Sequence, residues 1–233
     1  ESVDVVYHLV GIIAETRKLT FEATVAQGTK NVVSACLDRG VRRIIYLSAA
    51  GTSSAATSKY HRTKWIAEEA VRNSGMQYTI FRPTVIFGPG DGFVGMLVRM
   101  IDRLPLVPII GDGRYQLQPV FVGDLVTVMA DALVNERSSG KLIEVGGPQR
   151  LQYREVVSIV KRALNKKRGN IYLPLWFMMI NAFLLELIMK PAPITRDQIS
   201  MLKAGNVCDN SKLKDLFEID LTGFEEGLRT YLR

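Results

Sequence analysis

The chain has 233 residues, 47% of them hydrophobic and 23% charged, with a net charge of +7, which suits one sizeable domain or one domain with a small lobe. Two cysteines far apart in sequence, Cys36 and Cys208, exclude a disulfide framework and suit a reducing compartment. Two histidines, His8 and His61, are too few for a histidine-based metal site, and no nucleic-acid module is present.

Val3-Asp4-Val5-Val6-Tyr7-His8-Leu9-Val10-Gly11 reads as a core strand. Phe21–Arg39 repeats apolar residues at helical spacing (Phe21, Val25, Val32, Val33, Cys36, Leu37) and Gly40 stops it. Val41–Leu47 is a buried strand that ends in Ser48-Ala49-Ala50-Gly51. The next helix runs from about Ser58 to Asn73, with Ile66, Ala70 and Val71 facing inward and Glu68, Glu69 and Arg72 suited to solvent. On it Tyr60 and Lys64 stand four residues apart, one turn above each other on one face. A phenol beside an ammonium forms a proton-transfer unit, because the positive charge favours phenolate and lowers the tyrosine pKa from its usual ~10. After Gly75 comes a second buried strand, Tyr78–Arg82, broken by Pro83 and followed by Phe87-Gly88-Pro89-Gly90.

Downstream, Phe93–Leu104 is an amphipathic helix, Leu106–Ile110 an apolar stretch closed by the Gly111-Asp112-Gly113 turn, and Gln118–Leu125 a short strand entering a helix. Asp124 there is an N-terminal cap or first-turn acid. Lys141–Val145 is a further strand and Tyr153–Asn165 a helix. At that helix's end gather Lys161, Arg162, Lys166, Lys167 and Arg168, read as a solvated face complementing the helix dipole, with attraction to an anionic surface as the other reading. The stretch Trp176–Met189 is apolar nearly all round, interrupted by Asn181 and Glu186, and shorter than the ~20 residues of a spanning helix. It reads as a buried or substrate-covering helix, or as an interfacial membrane contact. Thr195-Arg196-Asp197-Gln198 and Thr222-Gly223-Phe224-Glu225 read as capping boxes.

The order strand, small polar turn, Tyr-x-x-x-Lys helix, strand, Arg82-Pro83, Gly88-Pro89-Gly90 resembles the extended and atypical short-chain dehydrogenase/reductases from Val3 to about Val145. The resemblance implies an α/β fold, a doubly wound parallel Rossmann-type sheet lacking its N-terminal strands, with a small, mostly helical C-terminal lobe. It divides the chain into a partial dinucleotide-binding domain, residues 1–150, without its first βαβ unit, and a smaller substrate or partner lobe, residues 151–233, to which 88–118 contribute. The implied cofactor is NAD or NADP, held by Leu9, Val10, Gly11, Leu47, Ser48, Tyr60, Lys64, Pro83, Thr84 and Val85, with no metal. The implied catalytic set is Tyr60 as acid/base, Lys64 lowering its pKa and binding the nicotinamide ribose, and Ser48 polarising the substrate. One departure concerns chemistry: the family commonly follows the first serine with a second hydroxyl residue, and here Ser48 is followed by Ala49.

The run from Pro193 to Val207, P-x-T-x-D-Q-x-x-x-L-x-x-x-N-V, with Gly227-Leu228 and Tyr231-Leu232 near the end, resembles the branch that contains the Rossmann-fold accessory subunit of respiratory complex I and its bacterial relatives. That branch implies a cofactor bound with little or no turnover. An active NAD(P)-dependent oxidoreductase or nucleotide-sugar epimerase, and a redox-sensing regulator on the same fold, are the alternatives. Partners follow: a dinucleotide, and a membrane-bound respiratory complex or membrane surface met through Trp176–Met189, in a cytoplasmic protein peripheral to the inner membrane. No glycine-rich phosphate turn opens a helix after a strand in these residues. The chain is therefore expected to bind dinucleotide weakly on its own, and the Val3–Val10 edge to pair with another segment or another copy in a homo-oligomer.

Overall fold

The computed structural model describes residues 3–189 and 191–232. Strand β1 (Val5–His8) is followed by a π-helical segment, Glu22–Gln27, that runs directly into α1 (Gly28–Asp38). The next elements are β2 (Arg43–Leu47), α2 (Lys59–Arg72), β3 (Gln77–Pro83), β4 (Ile86–Phe87), α3 (Gly92–Arg103), β5 (Leu106–Ile110), β6 (Gln116–Leu117) and β7 (Val120–Phe121). There follow α4 (Val122–Asp131), β8 (Lys141–Val145), β9 (Leu151–Gln152), α5 (Tyr153–Ala163) and β10 (Gly169–Leu173). The chain continues with α6 (Leu175–Ile188), α7 (Arg196–Ala204), α8 (Ser211–Leu216) and α9 (Phe224–Arg229).

The main sheet is parallel throughout, in the order β1-β2-β3-β8. Val5 pairs with Arg43, Leu47 with Phe81 and Pro83 with Val145, so the carboxyl ends of β1, β2, β3 and β8 share one rim. Strand alternation sorts the core between the two faces. Ile44, Tyr46 and Ile80 pack with Val33 and Cys36 of α1 and Ala67 and Val71 of α2. Ile45, Phe81 and Ile143 pack against Leu125, Val128 and Met129 of α4 and Leu213 and Leu216 of α8. Helices on both faces make the sheet doubly wound, as the sequence implies.

Beyond this sheet, Val94, Leu97 and Ile101 of α3, Val107 and Ile109 of β5, Val156 and Val160 of α5, and Phe224 and Leu228 cluster together. Strands β5 and β10 form a parallel pair, Leu106 opposite Gly169 and Ile110 opposite Leu173. Helix α6 rests on Ile110 and Ile199 through Ala182, its one buried residue. Trp176, Ile180, Leu187 and Ile188 are each more than half exposed, so α6 is not the buried helix of one sequence reading.

Two further expectations are corrected, and two hold. Glu68 is fully buried and Ile66 is 38% exposed, the reverse of the helical-wheel assignment, because Arg82 on the neighbouring strand draws a carboxylate inward. The Thr195 capping box forms, with Gln198 N donating to Thr195 Oγ1 at 3.1 Å and Thr195 N to Gln198 Oε1 at 3.0 Å. The Thr222 box does not: the cap of α9 is Gly223, and Thr222 instead donates from N and Oγ1 to Asp124, at 2.7 and 2.8 Å. Asp124 is thus a first-turn acid of α4 that ties down the C-terminal segment.

Candidate functional site

The site is built where β1, β2 and β3 end and α2 crosses them. Parallel strands deliver their carboxyl ends to one crevice, and loops there are free to meet a ligand. Lys64 is held on α2 at 3% exposure. Its ammonium donates to Leu47 O at 2.7 Å and stands 4.9 Å from the centre of the Tyr46 ring. A Cβ on Gly11 would lie 3.3 Å from Lys64 Nζ, so the glycine lets the β1 loop pass close to the charge. Leu9, Val10, Gly11, Leu47 and Lys64, named from sequence as cofactor residues, are therefore neighbours, with Leu9 and Val10 about half exposed. Burial pulls the Lys64 pKa down to about 8 against the opposing pull of Glu68.

Tyr60, one turn earlier, lies with its ring 5.7 Å from that of Phe21 and 5.2 Å from that of His61. Burial raises its phenol to about 12. This corrects the expectation that Lys64 would lower it: the ammonium points its hydrogen bond at Leu47 O, and desolvation dominates at the phenol. Tyr60 is a neutral proton donor at neutral pH. His8, buried at the end of β1, bonds Thr29 Oγ1 through Nε2 at 2.9 Å and stacks on Tyr46 at 5.3 Å. Burial, then the Lys64 charge, lowers its pKa and keeps the imidazole neutral. The Tyr46 hydroxyl is buried beside Thr29, without a hydrogen bond of full geometry among the described residues, and burial pushes its pKa up.

Ser48 follows β2 and is buried. Its hydroxyl donates to Glu68 Oε1 at 2.5 Å and sits 3.4 Å from Thr52 Oγ1. Glu68 also takes Arg82 Nε at 2.8 Å and Nη2 at 2.7 Å, and Arg72 Nη1 lies 3.3 Å from its other oxygen. The sequence reading named Ser48 but missed Glu68 and Arg82, whose pairing spans a helix and a strand. The i, i+14 separation carries no local pattern. The one available signal was Arg82 beside Pro83 at the end of a buried strand, a cation that needs a buried anion.

Pro83, Thr84 and Val85 reach the same rim, with much of their polar surface committed. Ala50 N donates to Pro83 O at 2.8 Å, Thr84 N to Val145 O at 2.9 Å, and Val120 N to Val85 O at 3.0 Å. The Thr84 hydroxyl donates to Gln118 O at 2.5 Å. These residues shape the end of β3 more than they offer side-chain chemistry.

The residues named for a nicotinamide riboside carry groups able to bind one. Lys64 carries three donors and one is used on Leu47 O, Gly11 gives close approach, and Tyr60 adds a hydroxyl donor on the same helix face. Among the described residues no group of three or more His, Cys, Asp or Glu side chains converges on a metal position.

A family model described as the NAD dependent epimerase/dehydratase family matches residues 1–146. The chain is 30% identical over 235 aligned positions to NADH dehydrogenase (ubiquinone) 1 alpha subcomplex subunit 9, mitochondrial, of Arabidopsis thaliana, covering 95% of this chain and 58% of that protein. The subunit of the same name from Rattus norvegicus is 31% identical over 148 positions, 63% of this chain and 39% of that one. This chain thus spans little more than half of the plant relative. Among solved structures, dTDP-glucose 4,6-dehydratase from Streptomyces venezuelae with NAD and TYD bound superposes with a TM-score of 0.76 at 19% identity, over 99% of this chain and 72% of that one. UDP-glucose 4-epimerase from Thermotoga maritima gives 0.73 at 21% identity, over 98% and 76%. With the parallel sheet, the shared rim and the Tyr60–Lys64 helix in place, the chain belongs to the NAD dependent epimerase/dehydratase family.

Proposed function

We propose that the chain forms the nicotinamide-holding part of an NAD(P)(H)-binding protein of the complex-I accessory-subunit type, and that it keeps its cofactor with little or no turnover. The observation that carries this reading is the Ser48 hydroxyl. A serine has one proton to give, and here it goes to the buried Glu68 carboxylate at 2.5 Å. A substrate carbonyl would need that proton, and Ala49 offers no second hydroxyl. When bound, the nicotinamide supplies a hydride donor or acceptor. Lys64 binds its ribose by charge-assisted hydrogen bonds, Gly11 gives it room, and Tyr60 holds a proton that a phenol near 12 gives up reluctantly.

Retention of both Tyr60 and Lys64 supports a second reading, an active oxidoreductase or epimerase. The two readings separate on one assay. Protein saturated with NADH or NADPH is offered nucleotide sugars, quinones and ketones while absorbance of the reduced cofactor is followed. The expected result is no oxidation above the protein-free rate; steady turnover abolished by Tyr60→Phe would establish the second reading and overturn the first.

The partner proposal rests on α6. Trp176, Phe177, Ile180, Phe183, Leu187 and Ile188 are exposed along it, a larger apolar strip than a solvated helix carries. No helix among the described residues is long and apolar enough to cross a membrane. We assign the α6 face to a membrane-bound respiratory assembly; the names of the relatives make them subunits of an NADH dehydrogenase (ubiquinone), which supports a multisubunit partner. Binding to inner-membrane vesicles that carry the assembly is expected to fall at least tenfold when Trp176 and Phe177 become serine. Equal binding to protein-free liposomes would give the face to lipid instead, and unchanged binding by the variant would remove α6 from any interface.

A further inference from the structure

The helix that carries Tyr60 and Lys64 begins where the C-terminal segment touches it. The first N–H groups of a helix have no partner within the helix, and a side chain from just before it usually supplies one. Ser58 does part of this, accepting from His61 N at 3.3 Å. The rest is supplied from far along the chain. The Asp197 carboxylate, in the first turn of α7, accepts from Ser58 Oγ at 2.8 Å, Lys59 N at 3.0 Å and Tyr60 N at 3.4 Å. Its charge also lies at the positive end of the α2 dipole, where an anion is favoured.

Asp197 is itself fixed from two sides. The Thr195–Gln198 capping box sets the first turn of α7. The neighbouring Arg196 is clamped on α6: its N and Nε donate to the two Glu186 oxygens at 2.7 and 2.8 Å, and its guanidinium lies 4.8 Å from the centre of the Phe183 ring. The carboxylate at the start of α2 is thus held in place, and the backbone N–H groups it accepts from include that of Tyr60 itself.

We propose that Asp197 is a positioning residue for the nicotinamide site: it sets the first turn of α2, hence the place of the Tyr60 hydroxyl and, one turn on, of the Lys64 ammonium. This rests on the reading of Tyr60 and Lys64 as nicotinamide ligands given above. No motif of the dinucleotide-binding half contains it, and it makes the C-terminal segment part of the site's construction.

The test compares the parent chain with Asp197→Asn, which keeps the size and removes the charge, and with Glu186→Gln, which weakens the Arg196 clamp and leaves the Asp197 cap. Asp197→Ala is added where it folds. Amide hydrogen exchange at Lys59 and Tyr60 is expected to rise about tenfold in Asp197→Ala, as for a lost cap of ordinary strength, and by less in Asp197→Asn, whose amide oxygen still accepts. The Thr195–Gln198 turn should keep its protection. NADH affinity should fall threefold to tenfold in Asp197→Ala, and the Tyr60 ring resonances should move with the loss of their fixed place beside Phe21. Glu186→Gln, with its weaker Arg196 clamp, should shift these readouts in the same direction and by less, because the Thr195–Gln198 box still sets the first turn of α7. Faster exchange with unmoved Tyr60 resonances and unchanged NADH affinity would reduce Asp197 to a structural cap, and unchanged exchange would overturn the proposal outright. A parent chain without NADH contact would defeat the nicotinamide reading alone, because exchange and the Tyr60 resonances still decide whether Asp197 sets the turn.

Discussion

Replacing Lys64 by methionine is expected to make the protein more stable while removing its hold on a nicotinamide dinucleotide. A lysine whose pKa is drawn from 10.5 to about 8 by burial costs folding roughly 3 kcal/mol at neutral pH. An apolar side chain of similar length escapes that cost and gives up the bond to Leu47 O, the contact with the Tyr46 ring and the attraction of Glu68. A net gain of about 1–3 kcal/mol should appear as a higher urea midpoint with an unchanged slope. The sign with pH is fixed. Below about 8 the lysine is protonated in both folded and unfolded chains, and the full cost is present. From about 8 to 10 the folded chain loses its proton first, the unfolded chain binds more protons, and stability rises with pH. The Tyr60 phenol, raised to about 12, acts in the opposite sense only above about 10. The difference between parent and Lys64→Met should therefore shrink from pH 8 to 10. Dinucleotide affinity should fall by roughly tenfold to a hundredfold, the worth of a charge-assisted hydrogen bond. A variant that is less stable, or that binds as well as the parent, would contradict the assignment of Lys64 to a ligand.

The largest loss of stability is expected from Glu68→Ala. Glu68 is fully buried and faces Arg82, 13% exposed at its side chain, and Arg72, 21% exposed. Removing the anion leaves a largely buried guanidinium without its bidentate partner, a change that costs about 3–5 kcal/mol. Ser48 loses its acceptor at the same time. Glu68→Gln, which keeps one acceptor oxygen, should cost less than Glu68→Ala, and Ser48→Ala about 1 kcal/mol. Denaturant unfolding of the three variants checks the order. If Glu68→Ala unfolds within 1 kcal/mol of the parent, the network is not what holds α2 against β3.

The parts of the fold that were legible are those with a strong local period. Ile44-Ile45-Tyr46 is apolar on both sides because helices cover both faces of the sheet, and such runs announce a buried parallel strand. The α2 helix was legible from its spacing, as was the end of β3 at Pro83, whereas Tyr60 and Lys64 stand out only when their spacing is taken with the flanking strands and the family resemblance. What was not legible depends on distant partners. The wheel put Glu68 in solvent because nothing near it in sequence reveals Arg82. The phenol of Tyr60 was expected to be acidic because spacing puts a lysine nearby, but spacing cannot say that the ammonium bonds a carbonyl of the neighbouring strand. Strand β10 was missed because Gly169–Leu173 is short, largely exposed and preceded by a basic run, so its order comes from its parallel partner β5. Asp197 was read as one residue of a capping box, which it is, while its carboxylate serves a different helix.

In the proposed reading, the rim of β1, β2 and β3 holds the nicotinamide half of a dinucleotide against Lys64. Saturation-transfer NMR on the 233-residue chain, with NADH and NADPH in excess, tests it most directly, because the method reads weak contacts and reports which half of the ligand touches protein. Stronger transfer is expected to the nicotinamide and adjoining ribose protons than to the adenine protons, lost in Lys64→Met and kept in Ser48→Ala. Transfer confined to adenine, or nicotinamide transfer unchanged in Lys64→Met, would contradict it.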